Sequence, residues 1–421
     1  MYKKRLFTKT MMATAIALAS QQSLAAGFQL NSQSATGLGR AFAGDAVIAD
    51  NASVMSRNAA AMTLFNAPAI SLGLNVIDTD IKVKNANYTF QNPLTSSVTT
   101  TSLENEQIGG TSYVPNLYYV HPVNDQLALG VGIYSNFGTK TEFSSSYAAN
   151  EFGGLTDVKS LNLTLNAAYR LNPQWSIGGG LDIIYGQGEL QRSNQTLEKL
   201  IEMQTGGVQG PLVDVDVDGT AVGFNLGTVY ELNDANRFGL SYHYSPELEA
   251  EGDIYAQQAG GKQSNQKLLM PLPDMVEFSG FHQLNNQFAV HYSVQWIEWS
   301  SFDVLKTNKG LVLNEYQWQD GWHYAVGGTY TLNSDWTLRA GYMYDTSAQD
   351  KKTSISVPDS DRQWFSGGFS YNLDSKSTLD FGLTYLMGKD IQATESTSLS
   401  QVTATTRADA LLYGVQYSRS F

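Results

Sequence analysis

An all-β transmembrane barrel of about fourteen antiparallel strands, its lumen plugged by an N-terminal hatch, is the fold class this sequence predicts. Three observations predict it. An export signal is followed by no membrane-spanning helix, apolar residues recur at every second position in run after run, and the connections alternate between short and long.

The signal comes first in the chain. Lys3, Lys4, Arg5 and Lys9 precede an apolar run from Met11 to Ala19, and Ser23-Leu24-Ala25 puts small residues where a signal peptidase reads them. Residues 1–25 are predicted to be cleaved. After them no apolar stretch reaches about 18 residues, so an exported chain has no helix to anchor it. The 421 residues include no Cys, which excludes a disulfide framework and thiol chemistry. A net charge of -13 argues against a nucleic-acid partner, which needs clustered cations. The five His residues lack metal-ligand spacing, and no cofactor is implied.

Residues 26–66 read differently from everything after them. Gly37-Leu38-Gly39 hints at a dinucleotide turn, but the place of the third Gly is taken by Phe42 and no strand precedes it. The segment is rich in Gly, Ala, Ser and Asn, and it precedes the first strand-like run.

Residues 67–421 carry the alternation. Leu161, Leu163, Leu165, Ala167 and Tyr169 share one face while Asn162, Thr164 and Asn166 share the other, and Phe288 to Trp296 and Leu379 to Tyr385 repeat the pattern. Strands are predicted near 69–84, 112–123, 126–139, 158–171, 174–190, 219–232, 236–250, 274–284, 287–300, 321–333, 335–346, 362–373, 376–389 and 407–421. Their connections alternate between turns such as Asn172-Pro173 or Asn285-Asn286 and long polar segments. Short turns on the periplasmic side and long loops outside are the habit of a membrane barrel, and an even strand number puts both termini on the periplasmic side. Trp175 and Trp336 after short turns, with Trp299, Trp322 and Trp364 beside long loops, predict aromatic belts at both interfaces. Fourteen strands close into a cylinder roughly 27 Å across, too wide for side chains to fill, so the leftover N-terminal residues are predicted to be the plug. The closed barrel predicts a monomer in outer-membrane lipid.

Several separated stretches then match a family. "AAGFQLNSQSATGLGRAFAGDA" with "SRNAA", "VPNLYYVHPVNDQ", "GIYSNFGTKTEF", "LPDMVEFSGF" and "ISVPDSDRQWFSGGFSYNL" resemble the FadL-type long-chain fatty acid transporters of the Gram-negative outer membrane. The resemblance implies a fourteen-stranded barrel with a hatch, passive uptake of long-chain fatty acids, and exit through the wall. A tail of about fifteen methylenes favours apolar surroundings over water by roughly 12 kcal/mol, so such a path needs connected greasy surfaces and one polar contact for the carboxylate.

Between the fifth and sixth strands, "TLEKLIEMQTGGVQGPL" places Leu197, Leu200 and Ile201 on one side of a short helix. Phe143, Tyr147, Phe152 and Leu155 of the preceding long loop are candidates for the facing wall, and the resemblance makes these two loops an outer groove. It also assigns Arg192, in "YGQGELQR", to the cargo carboxylate, which a guanidinium fork suits. The family's second cation aligns with Asn314 here, leaving Lys306 or Lys309 as substitutes only if their loop folds back. Gly within "Ser135-Asn136-Phe137-Gly138" signals a bulge. By resemblance Gly138 lies at a kink in the third strand, with Ser135 and Ser112 flanking a lateral opening. The family's Asn-Pro-Ala hatch motif, implied to face that kink, reads Asn58-Ala59-Ala60 here. Losing the Pro frees a torsion and restores an N–H.

"DVDVDG", residues 214–219, imitates a calcium loop, but Asn225 stands at the twelfth position and no helices flank it, so a solvated acidic turn is expected. Ser, His and Asp show no nucleophile setting, so no enzyme is predicted. The alternative reading is a related channel for aromatic hydrocarbons. The long loops also suit a phage-receptor role in addition.

Overall fold

The computed structural model describes residues 27–421. The predicted signal peptide, its cleavage site and Ala26 lie outside the described residues. Fourteen antiparallel strands pair in chain order. They are β1 (Ala69–Gln91), β2 (Thr111–Pro122), β3 in two pieces (Leu127–Tyr134 and Gly138–Glu142), β4 (Leu155–Arg170), β5 (Trp175–Arg192), β6 (Val213–Asn233) and β7 in two pieces (Asn236–Tyr244 and Leu248–Ala256). They continue as β8 (Met275–Gln283), β9 (Phe288–Ile297), β10 (Gly321–Thr331), β11 (Trp336–Asp345), β12 (Arg362–Asn372), β13 (Ser377–Met387) and β14 (Ser400–Ser420). β14 pairs back onto β1 from Ala69 opposite Ser420 to Phe90 opposite Ser400, which closes the ring and removes the sheet edge.

The alternation becomes a wall with two faces. On β4, Leu165 and Tyr169 are exposed while Asn162, Thr164 and Asn166 are buried inside. Leu181, Val222 and Val326 are each more than half exposed, as expected of residues that face lipid. Asn75, Ser279, His291 and Thr384 point into the ring and are buried.

They are buried because residues 27–66 fill the lumen. A five-residue helix, α1 (Ala35–Gly39), is capped by Ser34, whose Oγ accepts from the Gly37 N–H at 2.9 Å. Two 3-10 turns, Ala52–Ser56 and Ala59–Leu64, are capped by the side chains of Asn51 and Asn58. The segment bonds to the wall all round: the Gly44 N–H to Ser293 Oγ (2.9 Å), the Ala52 N–H to Ser71 Oγ (3.0 Å), Asn75 Nδ2 to the Ser32 carbonyl (2.7 Å) and Thr384 Oγ1 to the Leu38 carbonyl (3.0 Å). Glycines on the lumen face make the close approach possible. A Cβ on Gly341 would stand 2.1 Å from the Arg40 carbonyl oxygen, and one on Gly178 would stand 2.5 Å from the Ala60 nitrogen.

Two expectations need correction. Residues 214–219 are no turn: they belong to β6, with Val215 and Val217 buried inside and Asp214 and Asp216 pointing out. Several other strands also run beyond their predicted ends into segments read as loop, most plainly β1 and β14. Nor do all the Trp residues form belts. Trp175, Trp322 and Trp336 are exposed on the wall, but Trp299 and Trp364 are buried inside, where Trp299 packs on Phe28 with ring centroids 4.6 Å apart. Position beside a long loop does not say which face a residue takes.

Candidate functional site

The wall is interrupted at β3. Its first piece pairs with β2 from Leu117 opposite Ile133 to Pro122 opposite Ala128, and its second piece pairs with β4 from Gly138 opposite Lys159 to Glu142 opposite Leu155. Between them Ser135, Asn136 and Phe137 leave the ladder, and Thr111 to Asn116 of β2 have no register partner on β3 among the described residues. The kink is held from inside. The Leu30 N–H donates to the Asn136 carbonyl at 2.6 Å, the Gly138 N–H to the Phe28 carbonyl at 2.7 Å, and the Phe137 N–H to Ser160 Oγ at 3.0 Å. Around the break, Ser112 Oγ, Ser135 Oγ and both polar atoms of the Asn116 side chain are buried without a protein partner.

Above the hatch, at the long-loop end, lies a cavity of about 780 Å³. One wall is the helix α2 (Gln195–Thr205), capped by Asn194, whose buried Leu197, Leu200 and Ile201 face the space. Arg192, the last residue of β5, reaches the same cavity. It is only 8% exposed, yet among the described residues its guanidinium donates to neutral oxygens: the carbonyls of Leu155 (2.7 Å) and Gln191 (2.9 Å) and Thr156 Oγ1 (2.9 Å). Leu190 and Tyr316 line both this cavity and a narrower apolar one beneath it, which ends against Phe28 and Phe137. A polar contact at the top, a greasy slot below it and the strand break at the bottom therefore adjoin.

The structure brings together part of what the sequence singled out. Phe152, Leu197, Leu200, Ile201, Arg192 and Asn314 share the outer cavity. Phe143 and Tyr147 do not line it; their rings pack tilted at 39°, centroids 4.9 Å apart, in a cluster with Ile81, Val83 and Val402. Leu155 contributes its carbonyl rather than its side chain. Lys306 and Lys309 are exposed and outside the cavity. Asn58, Ala59 and Ala60 lie against β5 and β6 rather than the kink: Asn58 Nδ2 bonds the carbonyls of Ala46 and Thr228, both at 3.0 Å, and Ala60 packs on Gly178. The hatch residues that touch the kink include Phe28, Gln29, Leu30 and Gln33, whose Nε2 donates to Asn136 Oδ1.

Sequence reasoning missed Lys352 and Glu395, which enter the cavity from the β11–β12 and β13–β14 connections. Lys352 pairs with Glu315 at 2.7 Å, and Glu395 Oε1 accepts the Ile355 N–H at 2.6 Å. Neither sits in a motif, and only the closure of the barrel places them beside Arg192.

Comparison with known proteins agrees with this architecture. The family described as "Outer membrane protein transport protein (OMPP1/FadL/TodX)" matches residues 16–421. The long-chain fatty acid transport protein of Escherichia coli O6:H1 is 35% identical, with 100% of each chain covered, and outer membrane protein P1 of Haemophilus influenzae is 34% identical, with 99% of each covered. Among solved structures, a Pseudomonas aeruginosa FadL homologue superposes with TM-score 0.81 at 21% identity, covering 94% of this chain and 100% of that one. The Ralstonia pickettii toluene transporter TbuX gives 0.65 at 20% identity, covering 92% and 98%.

Proposed function

We infer, from the premise that this chain belongs to the OMPP1/FadL/TodX family of outer membrane transport proteins, that it carries long-chain fatty acids passively across the outer membrane. The observation that carries the reading is Arg192, a buried guanidinium bonded among the described residues to neutral oxygens, at the mouth of an apolar slot. A burial cost of this kind is repaid when a carboxylate arrives and makes a charge-assisted bond.

The cargo collects on the face of α2 and on Phe152, settles its carboxylate on Arg192 with Asn314 nearby, and threads its tail past Leu190 and Tyr316. The hatch, residues 26–66, blocks the straight path to the periplasm. Release follows the break at Ser135 to Gly138 opposite Ser112, where a tail passes from a greasy slot to the bilayer without crossing water. No bond of the cargo changes, so the reading includes no catalytic step. We assign a monomer in outer-membrane lipid, with a signal peptide over residues 1–25 and the long loops open to phage.

A second reading, a channel for small aromatic hydrocarbons, is favoured by the aromatic end of the inner slot at Phe28, Phe137 and Phe302. Uptake of labelled oleate and of toluene by deletion cells expressing wild type or Arg192→Ala separates the two. The fatty acid reading predicts oleate uptake that falls in the variant. Equal oleate uptake by both would remove Arg192, and uptake of toluene alone would favour the hydrocarbon channel.

A further inference from the structure

We propose that Glu395 sets the headgroup selectivity of the outer cavity: an acidic cargo must share Arg192 with the Glu395 carboxyl and binds with that carboxyl protonated, whereas a neutral hydrophobe binds whichever form it takes. This rests on the reading of Arg192 as the carboxylate contact.

The charges lining the cavity are Glu151, Arg192, Glu315, Lys352 and Glu395. Lys352 and Glu315 neutralise each other at 2.7 Å. Glu151 is engaged elsewhere, accepting from Tyr88 Oη at 2.5 Å and Asn194 Nδ2 at 2.9 Å. Arg192 and Glu395 remain. The carboxyl of Glu395 is held in place: the Ile355 N–H donates to it at 2.6 Å, and the adjacent Thr394 N–H donates to Thr353 Oγ1 at 3.2 Å, pinning its hairpin to the β11–β12 connection. Facing Glu395 are Arg192 of β5, Lys352 and Ser354 of the β11–β12 connection, and the buried Tyr316 of the β9–β10 connection; its cross-strand neighbour on β14 is the apolar Val402. The guanidinium therefore already has one carboxylate within electrostatic reach.

A cargo carboxylate makes that two carboxylates to one cation left without a charged partner among the described residues lining the cavity. Like charges in one half-buried site cannot both stay ionised, and the pair retains a proton. The proton comes from bulk water and stays shared between the Glu395 carboxyl and the cargo; no other bond changes. Burial already pushes the Glu395 carboxyl up to about 7, against the opposing pull of the Ile355 N–H, Arg192 and Lys352. A bound anion raises it further, so the complex holds more protons than the free protein and affinity falls as pH rises through about 7. A neutral ligand leaves the protonation unchanged.

The test is binding to the purified full chain in detergent, by calorimetry at about pH 6 and about pH 8. The probes are dodecanesulfonate, an anion at both pH values, and dodecanol. Wild type is expected to bind the sulfonate about tenfold more tightly at the lower pH, the equivalent of one unit in a pKa. Glu395→Gln is expected to bind it equally at both, as tightly as wild type at the lower pH, and dodecanol binding is expected to ignore pH in both proteins. A sulfonate pH slope that survives in Glu395→Gln, or an equal slope for dodecanol, would overturn the proposal. Arg192→Ala separates the two layers. If it weakens sulfonate binding while Glu395→Gln keeps the wild-type slope, only the role of Glu395 falls; if it binds like wild type, the headgroup site itself falls.

Discussion

The lower and upper halves of this barrel use the same residue parity for opposite purposes. On β1 the inward positions read Ser71, Gly73, Asn75, Ile77 and Thr79, mainly polar or small, and then, one step further from the short-turn end, only the apolar Ile81 and Val83. On β6 the outward positions read Leu226, Phe224 and Val222 within the bilayer and Asp218, Asp216 and Asp214 beyond it, while Val217 and Val215 turn inward. Where lipid surrounds the wall, apolar side chains face out and the lumen is polar, so a hydrogen-bonded plug fits there. Beyond the lipid the solvent is outside, apolar side chains face in, and a greasy cavity forms. One strand thus builds both the stoppered pipe and the lipid pocket, and the reversal marks where the bilayer ends.

The comparison can be broken from the lower half first, where the effect should be largest. Gly341→Val drives a side chain into the Arg40 backbone, an overlap that exceeds the about 1–3 kcal/mol of ordinary overpacking because neither backbone can yield. The expected outcome is a displaced hatch and an open-pore conductance in planar bilayers; a conductance as low as wild type would mean the plug accommodates elsewhere. Next comes the wall. Val326→Arg should destabilise the folded barrel in a bilayer by about 2–4 kcal/mol in urea unfolding. Asp216→Arg, on the outward face beyond the lipid, should cost almost nothing; equal costs would place the membrane boundary wrongly.

The upper half should respond in binding rather than folding. Arg192→Ala removes a charged partner and is expected to weaken laurate binding by about 1.5–3 kcal/mol, roughly 10- to 150-fold, with dodecanol unchanged. Loss of both ligands alike would mean a collapsed cavity rather than a lost contact. A smaller effect, in the hatch, belongs to Asn58→Ala, which deletes a cap and the bonds to Ala46 and Thr228. A cost of about 1–2 kcal/mol is expected, read as earlier proteolysis of the N-terminal segment. Protection equal to wild type would show that the hatch does not depend on that cap.

The same reversal explains what was legible in the sequence. Within the bilayer the alternation of Leu161 to Tyr169 is unmistakable, and the strand number and the leftover plug follow from it. Beyond the bilayer Asp214 to Asp218 also alternate, but a polar outward face reads as loop until the wall is known to continue. The helix face of Leu197, Leu200 and Ile201 was visible because its period is local. Phe143 and Tyr147 failed as groove residues because a loop aromatic has several apolar walls to choose from, and they chose β1 and β14. Lys352 and Glu395 are distant in sequence from Arg192, and no spacing rule connects residues that meet only when a ring closes.

The central claim is that a carboxylate rests on Arg192 while its tail runs down toward the break in β3. Crystals grown with a long-chain fatty acid brominated at its terminal carbon test it most directly, through the anomalous signal of the bromine. A bromine peak is expected in the slot beside Leu190 and Met270, toward Phe137, with the headgroup density at Arg192. A peak confined to the face of α2, or one at the short-turn mouth beside the hatch, would contradict it.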